Sequence, residues 1–139
     1  VKLYIGCSLT QAPSGFAEAV DKVKDALRAD FEVLDFLGLE KGTAMDSYLV
    51  DIRRNVATCD VFVAICDYPA IGLGIELGAA IEAYHKPVLA LAQTGATVSR
   101  MVRAVPVPNY QFVRYDALED VPSLVRNYIK HLNLTEDNA

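Results

Sequence analysis

The sequence predicts an α/β fold, a doubly wound (Rossmann/flavodoxin-like) five-stranded parallel sheet with helices on both faces. Three observations predict it. Short apolar runs alternate with longer amphipathic ones, as a parallel sheet with crossover helices requires. The run Val61-Phe62-Val63-Ala64-Ile65 is apolar at every position, as expected of a strand covered on both faces. At 139 residues and 53% hydrophobic content, the chain suits one core and is too apolar for disorder.

The elements follow in order. Lys2 to Gly6 reads as the first strand, ending at Cys7-Ser8. Pro13-Ser14-Gly15 opens a helix with Ser14 as the expected N-cap; Phe16, Val20, Val23 and Leu27 then recur at helical spacing. Phe31 to Phe36 is the second strand and Gly38 to Thr43 a polar loop. Asp46 to Thr58 carries Tyr48, Leu49, Ile52 and Val56 on one helical stripe. After the third strand, Asp67 to Gly74 reads as a loop and Ile75 to Tyr84 as a buried helix. Val88 to Ala92 is the fourth strand, Val98 to Ala104 a short helix, and Tyr110 to Tyr115 the fifth strand. Pro122 to Leu132 is the last helix. Residues 1–134 are expected to form a single domain, and 135–139 a frayed polar tail.

Composition narrows the function. Thirteen basic against 18 acidic residues give a net charge of −5. That balance argues against nucleic acid or an anionic membrane as partner. No apolar run approaches the ~20 residues of a membrane span. Cys7, Cys59 and Cys66 lack CxxC spacing, and the N-terminus does not read as a signal peptide. They are expected to be reduced thiols in a cytoplasmic protein. With two histidines, His85 and His131, far apart, no metal site is expected.

Doubly wound sheets bind ligands beyond the carboxyl ends of their strands. The densest signal there is Asp67 to Gly78. Gly72 and Gly74 let the backbone approach a ligand, and the helix behind them offers free N–H groups. Glu76, read as lying in the first turn, would have its pKa lowered by the helix field and suits a nucleophile or electrostatic stabiliser. Gly78 is expected to favour close packing of the helix on the sheet. The same residues also fit a plain turn and a dipole-complementing carboxylate. Neither a dinucleotide fingerprint nor a P-loop is present.

Asp51 leads as second carboxylate. Asp46, Asp60 and Asp67 compete, Asp60 reading more as a cap or edge charge and Asp67 lying on the ligand side. In the first strand, Gly6 leaves room for a ligand, Ser8 offers a hydroxyl, and Tyr4 either lines the pocket or packs in the core. Cys7 has no nearby histidine to activate it. Ser99, Arg100 and Arg103 fit an anion site or a solvated face, and His85 reads as a helix C-cap.

Tyr4 to Ser8, Asp51, the run Gly72 to Ala80 and Lys86-Pro87-Val88-Leu89 resemble the nucleoside 2-deoxyribosyltransferase superfamily, which includes the 2′-deoxynucleoside 5′-monophosphate N-hydrolases. The resemblance covers nearly the whole chain in order. Its specific part is the G-x-G-x-E-L-G element followed by the KPVL-like strand. It implies cleavage of the N-glycosidic bond of 2′-deoxyribonucleosides or their 5′-monophosphates. The glutamate matching Glu76 forms a deoxyribosyl ester, and the aspartate matching Asp51 assists departure of the base. Tyr4, Ser8, Gly72 and Gly74 match substrate-binding positions of the family, and Gly6 and Asp67 are expected beside them from their place at the strand ends.

Ser99 matches a serine with which a neighbouring subunit helps hold the 5′-phosphate. This implies a homodimer or higher homo-oligomer acting on a small-molecule nucleoside or nucleotide, with no cofactor and no metal. Hydrolysis is favoured over transfer to another base, because 135–139 lacks the aromatic signature of transferase termini. A non-catalytic nucleotide-binding module is the alternative from another class.

The sequence departs from the hydrolase pattern in two places: Thr10 stands where an arginine is usual, and Ala70 where a serine is usual. Asp51 is also one residue out of register with Asp60. Either one residue is inserted between them or Ile52 takes the usual place.

Overall fold

The computed structural model describes residues 1–38 and 41–132. Its strands are β1 (Lys2–Cys7), β2 (Glu32–Leu34), β3 (Val61–Ile65), β4 (Val88–Gln93) and β5 (Tyr110–Tyr115). They form one parallel sheet in the order β2-β1-β3-β4-β5. The helices are α1 (Phe16–Leu27), α2 (Ala44–Tyr48), α3 (Ile71–Gly78), α4 (Arg100–Arg103) and α5 (Val121–Leu132). Strand order reverses between β1 and β3, so the crevice for a ligand opens beyond the carboxyl ends of that pair. The doubly wound expectation holds.

Side chains alternate across the sheet because the strand period is two. Leu3, Ile5, Val61, Val63, Ile65, Leu89 and Leu91 pack with Val20, Leu27, Val121 and Val125 of α1 and α5. Tyr4, Phe62, Ala64, Val88 and Ala90 face the other layer, with Ile52, Val56, Leu73, Leu77 and Ala80. Both faces are covered, which is why the strands read as continuous apolar runs. On the second face Gly6, Ala64 and Ala90 stand side by side in register. This row of minimal side chains lies at the ligand end of the sheet.

Several boundaries differ from expectation. β2 has three residues, not six, because it is an edge strand paired only with β1. α1 is capped by Gly15, at φ 93°, and Ser14 makes no cap; the left-handed turn places glycine there instead. The second helix starts earlier, at Ala44, where Thr43 accepts from the Asp46 N–H and Asp46 accepts from the Thr43 N–H. Asp46 is therefore a capping residue. From Leu49–Val56 this helix widens into a π-helix, and α3 likewise continues as a π-helix over Ala79–Ala83.

α3 begins at Ile71, four residues before the expected start, with the Gly74 N–H already bonded to the Ala70 carbonyl. Gly72 and Gly74 are thus in its first turn and not in a loop. Gly78 is exposed, and a Cβ there would meet nothing within 4 Å, so close packing on the sheet does not require it. His85 takes the left-handed conformation just past the helix end, at φ 51°. Asp60 accepts from the Lys2 N–H at 2.7 Å, an edge role. The expected tail at 135–139 lies outside the described residues. No described helix is long and apolar enough to cross a membrane.

Candidate active site

Glu76 is the sixth residue of α3 and follows buried Leu73 by three positions, so it shares the face turned to the sheet. Its Oε2 is buried without a hydrogen-bond partner among the described residues. The hydroxyl of Tyr4 is in the same condition. The Tyr4 ring is fixed by stacking on Phe62, with centroids 5.5 Å apart and planes 17° apart. Glu76 has its space because β1 has no side chain at Gly6. A Cβ there would stand 2.7 Å from Oε2, 3.0 Å from Leu73 Cδ1 and 3.1 Å from Phe62 Cε2.

Asp51 enters from the π-helical stretch, half-buried, with Oδ1 accepting the Leu37 N–H at 2.9 Å. Burial raises its pKa, against the Leu37 N–H, Arg54 and Lys24, which lower it. Glu76 is pushed up to about 8, by burial first and by the Asp51 charge second, with Tyr4 and Lys24 acting downward. This reverses the expected lowering, because Glu76 sits well inside the helix and points at the sheet, away from the free N–H groups of the first turn. Tyr4 is raised by burial and by the two carboxylates, so its phenol stays protonated and available as a donor. Tyr4, Gly6, Asp51 and Glu76 are therefore one constellation.

The remaining candidates have other placements. Ser8 is buried, and its Oγ accepts the Tyr68 N–H at 3.1 Å, tying the end of β1 to the turn after β3. Asp67 is buried, with Oδ1 accepting from the Gln93 N–H at 3.0 Å and Oδ2 from the Tyr115 hydroxyl. Both oxygens are engaged in joining β3, β4 and β5. Gly72 and Gly74 are exposed at the entrance of α3. Ser99 caps α4, accepting the Met101 N–H at 3.3 Å. Together with Gly74, Leu77 and Tyr110 it lines an apolar hollow of about 500 Å³ that Glu76 does not line. Arg100 and Arg103 are exposed on α4. Burial pushes the Cys7 thiol up to about 11, so it is no thiolate nucleophile. Among the described residues no group of three His, Cys, Asp or Glu is placed to hold a metal.

No protein-family model matches the chain. Two curated relatives do, both carrying the name "Putative 2′-deoxynucleoside 5′-phosphate N-hydrolase 1". The protein of Thermofilum pendens is 36% identical over 98 residues, which are 66% of this chain and 67% of that one. The protein of Nematostella vectensis is 34% identical over 97 residues, covering 67% of this chain and 65% of its own length. The chain belongs to the nucleoside 2-deoxyribosyltransferase superfamily.

A solved structure, the CMP N-glycosidase of Clostridium botulinum, aligns with a TM-score of 0.69 over 91% of this chain and 99% of that one. At 16% identity it speaks to the fold alone.

Two features of this member of the nucleoside 2-deoxyribosyltransferase superfamily bear on the site. The first is the π-helical stretch that carries Asp51. A π-helical turn holds more residues than an α-helical one. In Leu49–Val56, Ile52 is buried in the core while Asp51 accepts the Leu37 N–H. The second is Lys24, which sequence reasoning missed. It is 2% exposed, with Nζ 4.2 Å from the Phe36 ring centroid. Its signal was its spacing: four residues after Val20 and three before Leu27, it lies on the buried stripe of α1.

Proposed function

We propose that the chain hydrolyses 2′-deoxynucleoside 5′-monophosphates at the N-glycosidic bond through a covalent deoxyribosyl ester on Glu76. The observation that carries this reading is the pair of buried polar atoms without a hydrogen-bond partner among the described residues, Glu76 Oε2 and the Tyr4 hydroxyl, with Oε2 set against the side-chain-free Gly6. A carboxylate stripped of water and fixed beside a donor suits attack on an anomeric carbon. The Glu76 oxygen forms a bond to that carbon as the carbon–nitrogen bond breaks. The bonding pair leaves with the base, which takes a proton from the Asp51 carboxyl. Water then adds to the anomeric carbon, gives its proton back to Asp51, and frees Glu76 as carboxylate. The names of the two relatives support the substrate class. The exposed backbone at Ile71 and Gly72, where helix N–H groups lack acceptors, receives the 5′-phosphate.

The same reading makes the protein a homodimer in which Ser99 of a second copy joins the phosphate end. Ile71, Ile75 and Met101 are 86%, 49% and 83% exposed, apolar surface that a second copy would cover.

A panel of deoxynucleosides, their monophosphates and a second free base tests the reaction. Chromatography is expected to show free base and deoxyribose 5-phosphate. A new nucleoside would assign transfer instead. No base release from any substrate would favour the non-catalytic module.

The ionisation of Glu76 sets a pH dependence. The reaction needs the pair to carry one proton, on Asp51, with Glu76 deprotonated; because the two are coupled, the midpoint belongs to the pair. That last proton leaves at about 8, so kcat/KM is expected to fall above it by roughly tenfold per pH unit. A profile that stays level from pH 8 to 10 would contradict this assignment.

A further inference from the structure

Asn55 is a buried amide, 1% exposed, on the helix that carries Asp51. Its Nδ2 donates to the Asp35 carbonyl at 2.8 Å, and Arg54 Nε stands 3.5 Å from its Oδ1. Four residues earlier on the same helix, Asp51 Oδ1 accepts the Leu37 N–H at 2.9 Å. Asn55 and Asp51 thus grip one stretch of chain at two points, Asp35 and Leu37. That stretch lies beyond the ladder with β1, which ends at Leu34 opposite Tyr4. Between the two points, the Phe36 ring has the Lys24 ammonium 4.2 Å from its centroid. We propose that Asn55 is a positioning residue. By holding the Asp35 carbonyl it sets the Leu37 N–H against Asp51 Oδ1, which leaves Oδ2 as the oxygen that carries the proton for the departing base. The proposal rests on the assignment of Asp51 as the working acid.

The hydrogen bond gives the two oxygens of Asp51 different work. A protonated carboxyl has one O–H donor, and its other oxygen still accepts. A proton on Oδ1 would point at the hydrogen of the Leu37 N–H, so the acid form carries it on Oδ2. A general acid must lie within hydrogen-bond reach of the atom it protonates, and small displacements there are costly. A carboxyl held at one oxygen resists turning and delivers its proton from a fixed place. Asn55 shares the buried stripe of its helix with Ile52 and Val56, where an apolar side chain would pack at no polar cost. A buried amide is costly unless its polar atoms are paired. Its presence on that stripe is accounted for by the backbone it holds.

The test follows the Leu37 amide proton by proton–nitrogen NMR, beside steady-state kinetics on a deoxynucleoside 5′-monophosphate. Asn55→Leu keeps the size of the side chain and removes the donor. In the native protein the Leu37 amide proton is expected to shift as the Asp51 carboxyl titrates, and Asp51→Asn to abolish that shift. In Asn55→Leu the shift should be largely lost. The same variant is expected to lose about tenfold in kcat with KM little changed. In the Asp51→Asn background it should cost nothing further, because Asn55 acts only through Asp51. A Leu37 amide that does not titrate in the native protein would overturn the proposal. So would a full titration shift in folded Asn55→Leu, or an equal fall in kcat in both backgrounds. Should Asn55→Leu not fold, Asn55→Ser is read in its place. If neither folds, Asn55 is a core element and the proposal fails. The amide titration needs no turnover, so it stands apart from failure of the N-hydrolase reading.

Discussion

Replacing Glu76 with glutamine is expected to cut release of free base by ~10³-fold or more, since the variant keeps the shape but loses the nucleophile. The fold should persist, and at alkaline pH it should become more stable. In the folded chain Glu76 keeps its proton up to about 8, well above the ordinary value of 4.5. Between those two pH values the native state binds more protons than the unfolded one, so stability falls as pH rises through that window. Glutamine removes this dependence. The expected rise in Tm is about 5 °C at pH 9, vanishing near pH 4. Thermal melts at the two pH values, alongside the product assay, check both halves. Full activity in the variant would remove Glu76 from the chemistry. A lower Tm at pH 9 would show that the carboxylate is a structural anion.

Gly6→Ala is expected to cost about 10²-fold in kcat with a far smaller effect on folding. The added methyl would lie 2.7 Å from Glu76 Oε2, the free end of a side chain that can swing aside. Leu73 and Phe62, at 3.0 and 3.1 Å, must also yield by tenths of an ångström, a strain of about 1–2 kcal/mol. The carboxylate therefore leaves its working position while the sheet survives. Steady-state kinetics with a denaturant melt separate the two effects. Unaltered kcat in folded Gly6→Ala would show that Glu76 does not work from this position.

Some of this architecture was plain in the sequence. The apolar run of β3 and the alternation of strand and helix signals read directly, because burial on both faces leaves an unbroken apolar signature. Glu76 stood out through the glycines before it. Those glycines also misled: Gly72 and Gly74 read as loop, yet they occupy the first turn of α3, where few intrahelical bonds are at stake. That shift of four residues moved Glu76 from the helix entrance to its interior and inverted the expected sign of its pKa change. Asp67 lies on the ligand side, but its two oxygens are taken by Gln93 and Tyr115, partners distant in sequence. Lys24 was hidden because a lysine between apolar neighbours reads as a solvated charge, and only packing shows that Phe36 covers it.

The widened turns around Asp51 let this helix take up a change of chain length. Deleting one residue within Leu49–Val56 would let the segment tighten into an ordinary α-helix. The lost residue and the larger turn made by each remaining one offset each other, so side chains on either side keep nearly the same directions. With Val56 and Cys59 anchored in the core, Asp51 would still face Leu37. The placing of this acid is thus buffered against a one-residue change in the helix that carries it.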